Sequence, residues 1–333
     1  MIELIKRNTA LQVNPTSPFI DIHLTDHGSS WLWAAFSVFG ILTIIHGFLY
    51  TLTSVRRSGL KKALLTIPLF TNAIFTYVYY TYASNLGYTG IPTQFHHITT
   101  SEGLNVRQIF YHKFIGWFLA WPFVLAIYEV ITHTHLTDTN TDLISKFIRL
   151  FSGLFIKIAA VEVFVLGLLI GALIQSSYKW GYFTFAVFAQ LFAIYLIGHD
   201  LFRSFGSASK YRFGNLFILF GFLVWVLYPI CWGLSEGGNR IQPDSEAVFY
   251  GILDLITFGI IPSVLTWLAI KNVDEGFFGK IWPYHLKDSV GDADHPYDPE
   301  KNVGDTTPRH SGDTAVAPAG VPTTGVHPAV SDE

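Results

Sequence analysis

The chain is nearly free of cysteine, with only Cys231 in 333 residues. One thiol cannot close an intrachain disulfide or build a cysteine metal cluster. Methionine is as scarce. The only one is Met1, so the flexible thioether that fills irregular gaps in adaptable pockets is missing. Charge is also in short supply, at 14% of residues, where a soluble domain carries about a quarter. The formal net charge of -3 is too small to argue for a polyanion, and no nucleic-acid partner is expected. No phosphate loop, internal repeat or metal-ligand spacing occurs. His96 and His97 are adjacent and so cannot share a helix face, which speaks against a metal role. The opening residues, MIELIKRNTALQVNP, never build an apolar run of signal-peptide length. The first long apolar segment is expected to serve as both targeting signal and anchor.

What is present is apolar surface. Half the residues are hydrophobic, 16% are aromatic, and the mean hydropathy is +0.39. Lipid is the solvent this composition fits. Crossing a bilayer takes about 20 mostly apolar residues, because nothing in the hydrocarbon pairs an open backbone. Seven stretches qualify: Trp31–Val55, Ala63–Ser84, Gln108–Thr132, Phe147–Ile174, Trp180–Phe202, Phe213–Leu234 and Glu246–Ile270. The expected fold is therefore all-α, a seven-helix membrane bundle spanning residues 30–272, with residues 1–29 as an N-terminal segment outside. Short connections predict antiparallel neighbours. The longest connection, Asn85 to Arg107, holds Gly87, Gly90, Pro92 and Gly103 and predicts turns or a small hairpin.

Lys and Arg set the orientation. One side collects Arg56, Arg57, Lys61, Lys62, Lys146, Arg149, Arg203, Lys210, Arg212 and Lys271; the other has Lys6, Arg7, Arg107, Lys179 and Arg240. This predicts the N-terminus outside and the C-terminus in the cytosol. Residues 273–333 turn rich in Asp, Pro, Gly, Thr and Ser, a composition that reads as a disordered cytosolic tail.

The sixth span reads LVWVLYPICWGLSEGGN, with Trp225, Tyr228, Pro229 and Trp232 on one helical face. By spacing alone such a stripe fits core packing as well as a ligand slot. The seventh begins PDSEAVFYGILDLITFG, the third RQIFYHKFIGWFLAWP, and the fifth opens with YKWGYF. Together these segments resemble microbial rhodopsins, above all the fungal opsin-related proteins, over roughly Ser30 to Ile270. The resemblance implies a vestigial retinal pocket at Trp117, Pro122, Phe183, Trp225, Tyr228, Pro229 and Trp232.

Three positions depart from that family. Its retinal-binding lysine lies four residues after the aspartate of the seventh helix; the aspartate here is Asp254, and Phe258 follows. A phenyl ring has no amine to bind retinal covalently, so no cofactor is expected. The proton-acceptor position, three residues after the basic Lys113, is Gly116, and the donor position is Ile127. By analogy Lys113 and Asp254 face each other and are expected to form a buried ion pair, either functional by default as an intramembrane charge or a relic that fixes packing. Glu246 matches a carboxylate that serves proton release in some pumps; here it is expected to cap or hydrate the start of its helix. Glu162 and Lys157 lie on the fourth span and Glu129 near the end of the third, where Glu129 and Lys157 could pair. Phe258 and Phe183 are expected to fill part of the space that retinal would take. His46 reads as a hydrogen-bonded core histidine.

The missing lysine, together with GSSWLW, ASNLGYTG and ICWGLSEGGNRIQPDSEAVFYG, is similar to the group that includes a yeast plasma-membrane heat-shock protein. That likeness implies a non-photoactive, stress-responsive accessory protein of the plasma membrane, with the bilayer as its medium and the plasma-membrane proton ATPase as its partner. A homo-oligomer is compatible with it. The alternative is a channel, transporter or photoreceptor that keeps an altered opsin mechanism along Lys113, Glu162, Asp254 and Glu246. A hormone-type receptor is disfavoured by the lack of a cysteine pair. No nucleophile–base pair supports an enzyme.

Overall fold

The computed structural model describes residues 9–53, 59–133, 143–205 and 212–272. The tail expected over residues 273–333 lies outside them, as do Arg56, Arg57 and Lys210. Among the described residues, seven helical spans are long and apolar enough to cross a membrane. A short helix α1 (Ala10–Val13) precedes α2 (Asp26–Leu52) and α3 (Gly59–Ala83). A hairpin of β1 (Tyr88–Pro92) and β2 (Val106–Phe110) leads into α4 (His112–His133), α5 (Leu143–Ala172) and α6 (Lys179–Phe205). The sixth span is α7 (Arg212–Trp232) extended by a π turn, Gly233–Gly237. The seventh is α8 (Pro243–Asp254), a second π turn, Leu255–Ile260, and α9 (Ile261–Asn272). Sequence neighbours pack as spatial neighbours, and α2 closes the ring against α8.

Local chemistry explains the element ends. Thr25 caps α2 by accepting from the His27 N–H, with Asp26 in the first turn where the helix dipole favours an acid. Pro243 opens α8, where its missing N–H costs nothing. In α7, Pro229 removes one ladder hydrogen bond, and the helix widens into its π turn four residues later. Asn239, in the left-handed region at φ 49°, then stops it.

The expected hairpin is present, but it reaches further than the sequence suggests. Tyr88 pairs with Phe110 and Pro92 with Val106 in antiparallel register. Gln108 to Phe110 are therefore strand, not the start of the third span. Ile22 adds a parallel bridge to Arg107, so the N-terminal segment forms a third edge. That end of the bundle, the hairpin end, is cross-tied. Asn85 donates to the Asn14 carbonyl at 2.8 Å and Gln108 to Asn85 at 2.7 Å. Asn239 donates to the carbonyls of Phe95 and Ile98.

Candidate functional site

Four charged side chains meet beneath the hairpin end. Arg107 arrives on β2, Lys113 on the first turn of α4, Glu236 on the π turn after α7, and Glu246 on the first turn of α8. All are buried. The Lys113 ammonium is ion-paired to Glu246 and lies 2.5 Å from Glu236. Arg107 pairs with Glu246 at 2.6 Å and also donates to Asn239 Oδ1 and the Ile241 carbonyl. Two cations thus face two carboxylates, and the Tyr250 hydroxyl donates to Glu236 at 3.3 Å. Burying charge is tolerable only when it is paired and hydrogen-bonded in this way.

The expected Lys113–Asp254 pair does not form. Lys113 is taken by the two glutamates. Asp254 is held by three neutral donors: the Tyr79 and Tyr228 hydroxyls at 2.8 Å and the Trp117 indole N–H at 2.9 Å. Glu246 is likewise no simple cap, because it carries two cations.

Beyond Asp254 the centre of the bundle is aromatic. The π turn Leu255–Ile260 places Phe258 inward, with no exposed surface. Its ring stacks on Phe75 at 4.3 Å and meets the edge of Trp121 at 5.3 Å. Trp121 in turn lies 4.5 Å from Trp225, which Phe164 meets edge-on at 5.7 Å. Phe183 stacks on Trp232, another of the pocket positions, at 5.1 Å, beside Trp180, while Trp121 packs against Phe258 at the centre. Trp232 donates to the Leu168 carbonyl. Pro122 and Pro229 lie within α4 and α7. Ile127 is fully buried. Gly116 is a close-approach site, since a Cβ there would lie 2.3 Å from Val78 Cγ2 on α3.

A second ionic group sits at the far end. Lys157 is ion-paired to Glu129, as the sequence suggested, and also lies 2.5 Å from Asp200 on α6. Three helices are joined there. His46 is buried with Nδ1 2.7 Å from the Leu42 carbonyl. Glu162 is half-buried on α5, and one carboxyl oxygen is enclosed without a hydrogen-bond partner. Among the described residues no cluster suited to a metal occurs.

The residues the sequence did not flag are Arg107, Glu236, Tyr79, Trp121 and Asp200. Glu236 was the most findable, as an acid directly after an apolar span. Arg107 and Lys179 read as loop charges, yet both are buried, and Lys179 donates to the Glu236 carbonyl.

Residues 28–269 match the family model described as bacteriorhodopsin-like protein. The 30 kDa heat shock protein of Saccharomyces cerevisiae is 38% identical over 94% of this chain and 93% of its own length. The opsin-like protein carO of Fusarium fujikuroi is 34% identical over 82% of this chain and 88% of its own. Among solved structures, the light-driven proton pump LR (Mac) from Leptosphaeria maculans superposes with a TM-score of 0.60. That match covers 77% of this chain and 99% of the pump at 22% identity, a likeness of fold.

Proposed function

Because the chain belongs to the bacteriorhodopsin-like family, we propose that it is a member without photochemistry: a non-enzymatic, stress-responsive accessory protein of the plasma membrane, N-terminus outside, that restrains or protects the plasma-membrane proton ATPase by contact. The observation that carries this reading is the filled centre. Phe258 offers no amine, and Trp121 packs against both its ring and Trp225 where a polyene would need open space. These residues do not fit retinal. A pump-like relay is also unsupported. Between Trp117 and Glu129 the buried α4 positions Ala120, Trp121, Val124, Leu125, Ile127 and Tyr128 carry no carboxyl group, histidine or lysine. Stress induction rests on likeness to a relative named as a heat shock protein, and the ATPase partner on the resemblance to that group.

The test is a visible absorption spectrum of the purified protein after incubation with all-trans retinal. The wild type should stay silent. A red-shifted, light-sensitive band would overturn the non-photoactive reading. A pull-down from stressed cells should then enrich the proton ATPase, and its absence would remove that partner.

A further inference from the structure

A third buried cation stands beside the charged cluster at the hairpin end. Lys179 opens α6 and is 2% exposed, yet among the described residues its ammonium meets one acceptor, the Glu236 carbonyl at 3.2 Å. An ammonium carries three donors, so two are left over. Arg107 also has one to spare. Its terminal nitrogens are spent on Glu246, Asn239 and the Ile241 carbonyl, but its Nε–H is enclosed without a partner. The two cations lie near enough to repel one another. The acids around them are already engaged. Glu246 is divided between Arg107 and Lys113, and Glu236 is bound by Lys113, Ser235 and Tyr250. Asp254 is held by its three neutral donors. The cluster with Lys179 thus sets three buried cations against two glutamates. A buried charge without its opposite is costly.

We propose that Lys179 and Arg107 hold one small monovalent anion, chloride, between the start of α6 and β2. One negative charge balances the excess. The Lys179 ammonium and the Arg107 Nε–H supply the charged donors that such an ion takes in place of water. The site rests on these side chains and not on the end of the helix. The N–H groups of Lys179, Trp180 and Gly181 already donate to the carbonyls of Ser176, Ser177 and Tyr178. The loop between β1 and β2 closes this end. Asn239 donates to the Phe95 and Ile98 carbonyls, and the Trp180 indole donates to Gln94. Trp180 also meets Trp232 edge to face at 5.8 Å. A single-atom ion suits so enclosed a place and so few donors. Phosphate or sulfate would bring four oxygens and a second charge.

The test follows the melting temperature of the full purified chain as chloride replaces gluconate at constant ionic strength. The wild type should gain about 3–5 °C per tenfold rise in chloride above the dissociation constant. Lys179→Met keeps the length of the side chain without its charge and should melt at the same temperature in both salts. Arg240→Met, which removes an exposed cation at the same end, should keep the wild-type response. Should Lys179→Met fail to fold, wild-type crystals grown in bromide decide the matter. An anomalous peak beside Lys179 Nζ and Arg107 Nε would support the site, and its absence would overturn it. A wild-type melt indifferent to chloride would also overturn the proposal. So would a chloride response that Lys179→Met shares, which places the ion elsewhere, or an equal response to sulfate, which marks a general salt effect.

Discussion

Trp121 on α4 and Trp225 on α7 lie with ring centroids 4.5 Å apart and planes inclined by 38°. Phe164 meets the second indole edge-on, and Phe258 meets the first. The contact joins two helices at the middle of the bundle and leaves no gap between them. Restoring an amine at position 258 is therefore not enough to restore a chromophore site. Phe258→Lys alone is expected to give no visible band with all-trans retinal. Phe258→Lys with Trp121→Thr opens the space and is expected to give one. A band from the single variant would show that the tryptophan pair yields readily. Trp121→Ala by itself should cost about 3–5 kcal/mol in a melting or denaturant experiment, because it removes a fully enclosed ring.

Lys113 carries two carboxylates, so its loss should be felt more than the loss of either partner. Lys113→Met strands Glu236 and leaves Glu246 with Arg107 alone. About 3–5 kcal/mol of destabilisation is expected. Lys113→Met combined with Glu236→Gln should be less damaging than the sum of the two, with a coupling of about 0.5–3 kcal/mol. Asp254→Asn keeps an acceptor for its three neutral donors and should cost about 1–3 kcal/mol. A Lys113–Asp254 coupling larger than the Lys113–Glu236 coupling would reverse this assignment.

Gly116 shows that one departure from a pump is built into the packing. The position sits where α4 touches α3, with Val78 Cγ2 2.3 Å from where a Cβ would be. Gly116→Ala should destabilise by about 1–3 kcal/mol through overpacking. Val78→Ala removes the obstructing methyls, so the double variant should recover part of that loss. A neutral Gly116→Ala would mean that α3 and α4 separate easily.

The seven spans were legible because each is a long apolar run with turn residues between, and lipid leaves the backbone little choice. The slips came at the hairpin end. Gln108, Ile109 and Phe110 continue the apolar run of α4, yet they pair with β1. No periodicity over three residues separates a buried strand from a helix start. The site was legible by residue type but not by partnership. Glu236 follows a glycine-flanked turn, GLSEGG, that reads as loop. Only the π turn carries the helix past Leu234 and aims that acid at Lys113. The Glu129–Lys157 pair was readable because both residues lie inside spans on consecutive helices. Asp200 sits near the end of α6, where an acid attracts no notice. Trp121 is one more aromatic beside Pro122, and nothing in its spacing tells that it faces Trp225.

Asp21 ties the N-terminal segment to the hairpin, and this contact should be visible in the pH dependence of stability. Its carboxylate accepts from the Thr100 hydroxyl at 2.5 Å and from the N–H groups of Val106 and Asn105 at 2.8 and 3.1 Å. Burial pushes the carboxyl up, but these three donors outweigh it and hold it below its ordinary value of 3.8. A carboxyl lowered on folding stabilises the native state fully above its unfolded value. That contribution is lost as pH falls through the lower, folded value. The melting temperature of Asp21→Asn should therefore lie below the wild type by a constant margin from neutral pH down to about 5. The margin should shrink below about pH 4 as the wild-type carboxyl takes up its proton. A margin that widens on acidification would mean that the donors do not hold the charged form. A margin absent at neutral pH would mean that the N-terminal segment is tied by its backbone bonds alone, through Ile22 to Val106 and Gln108.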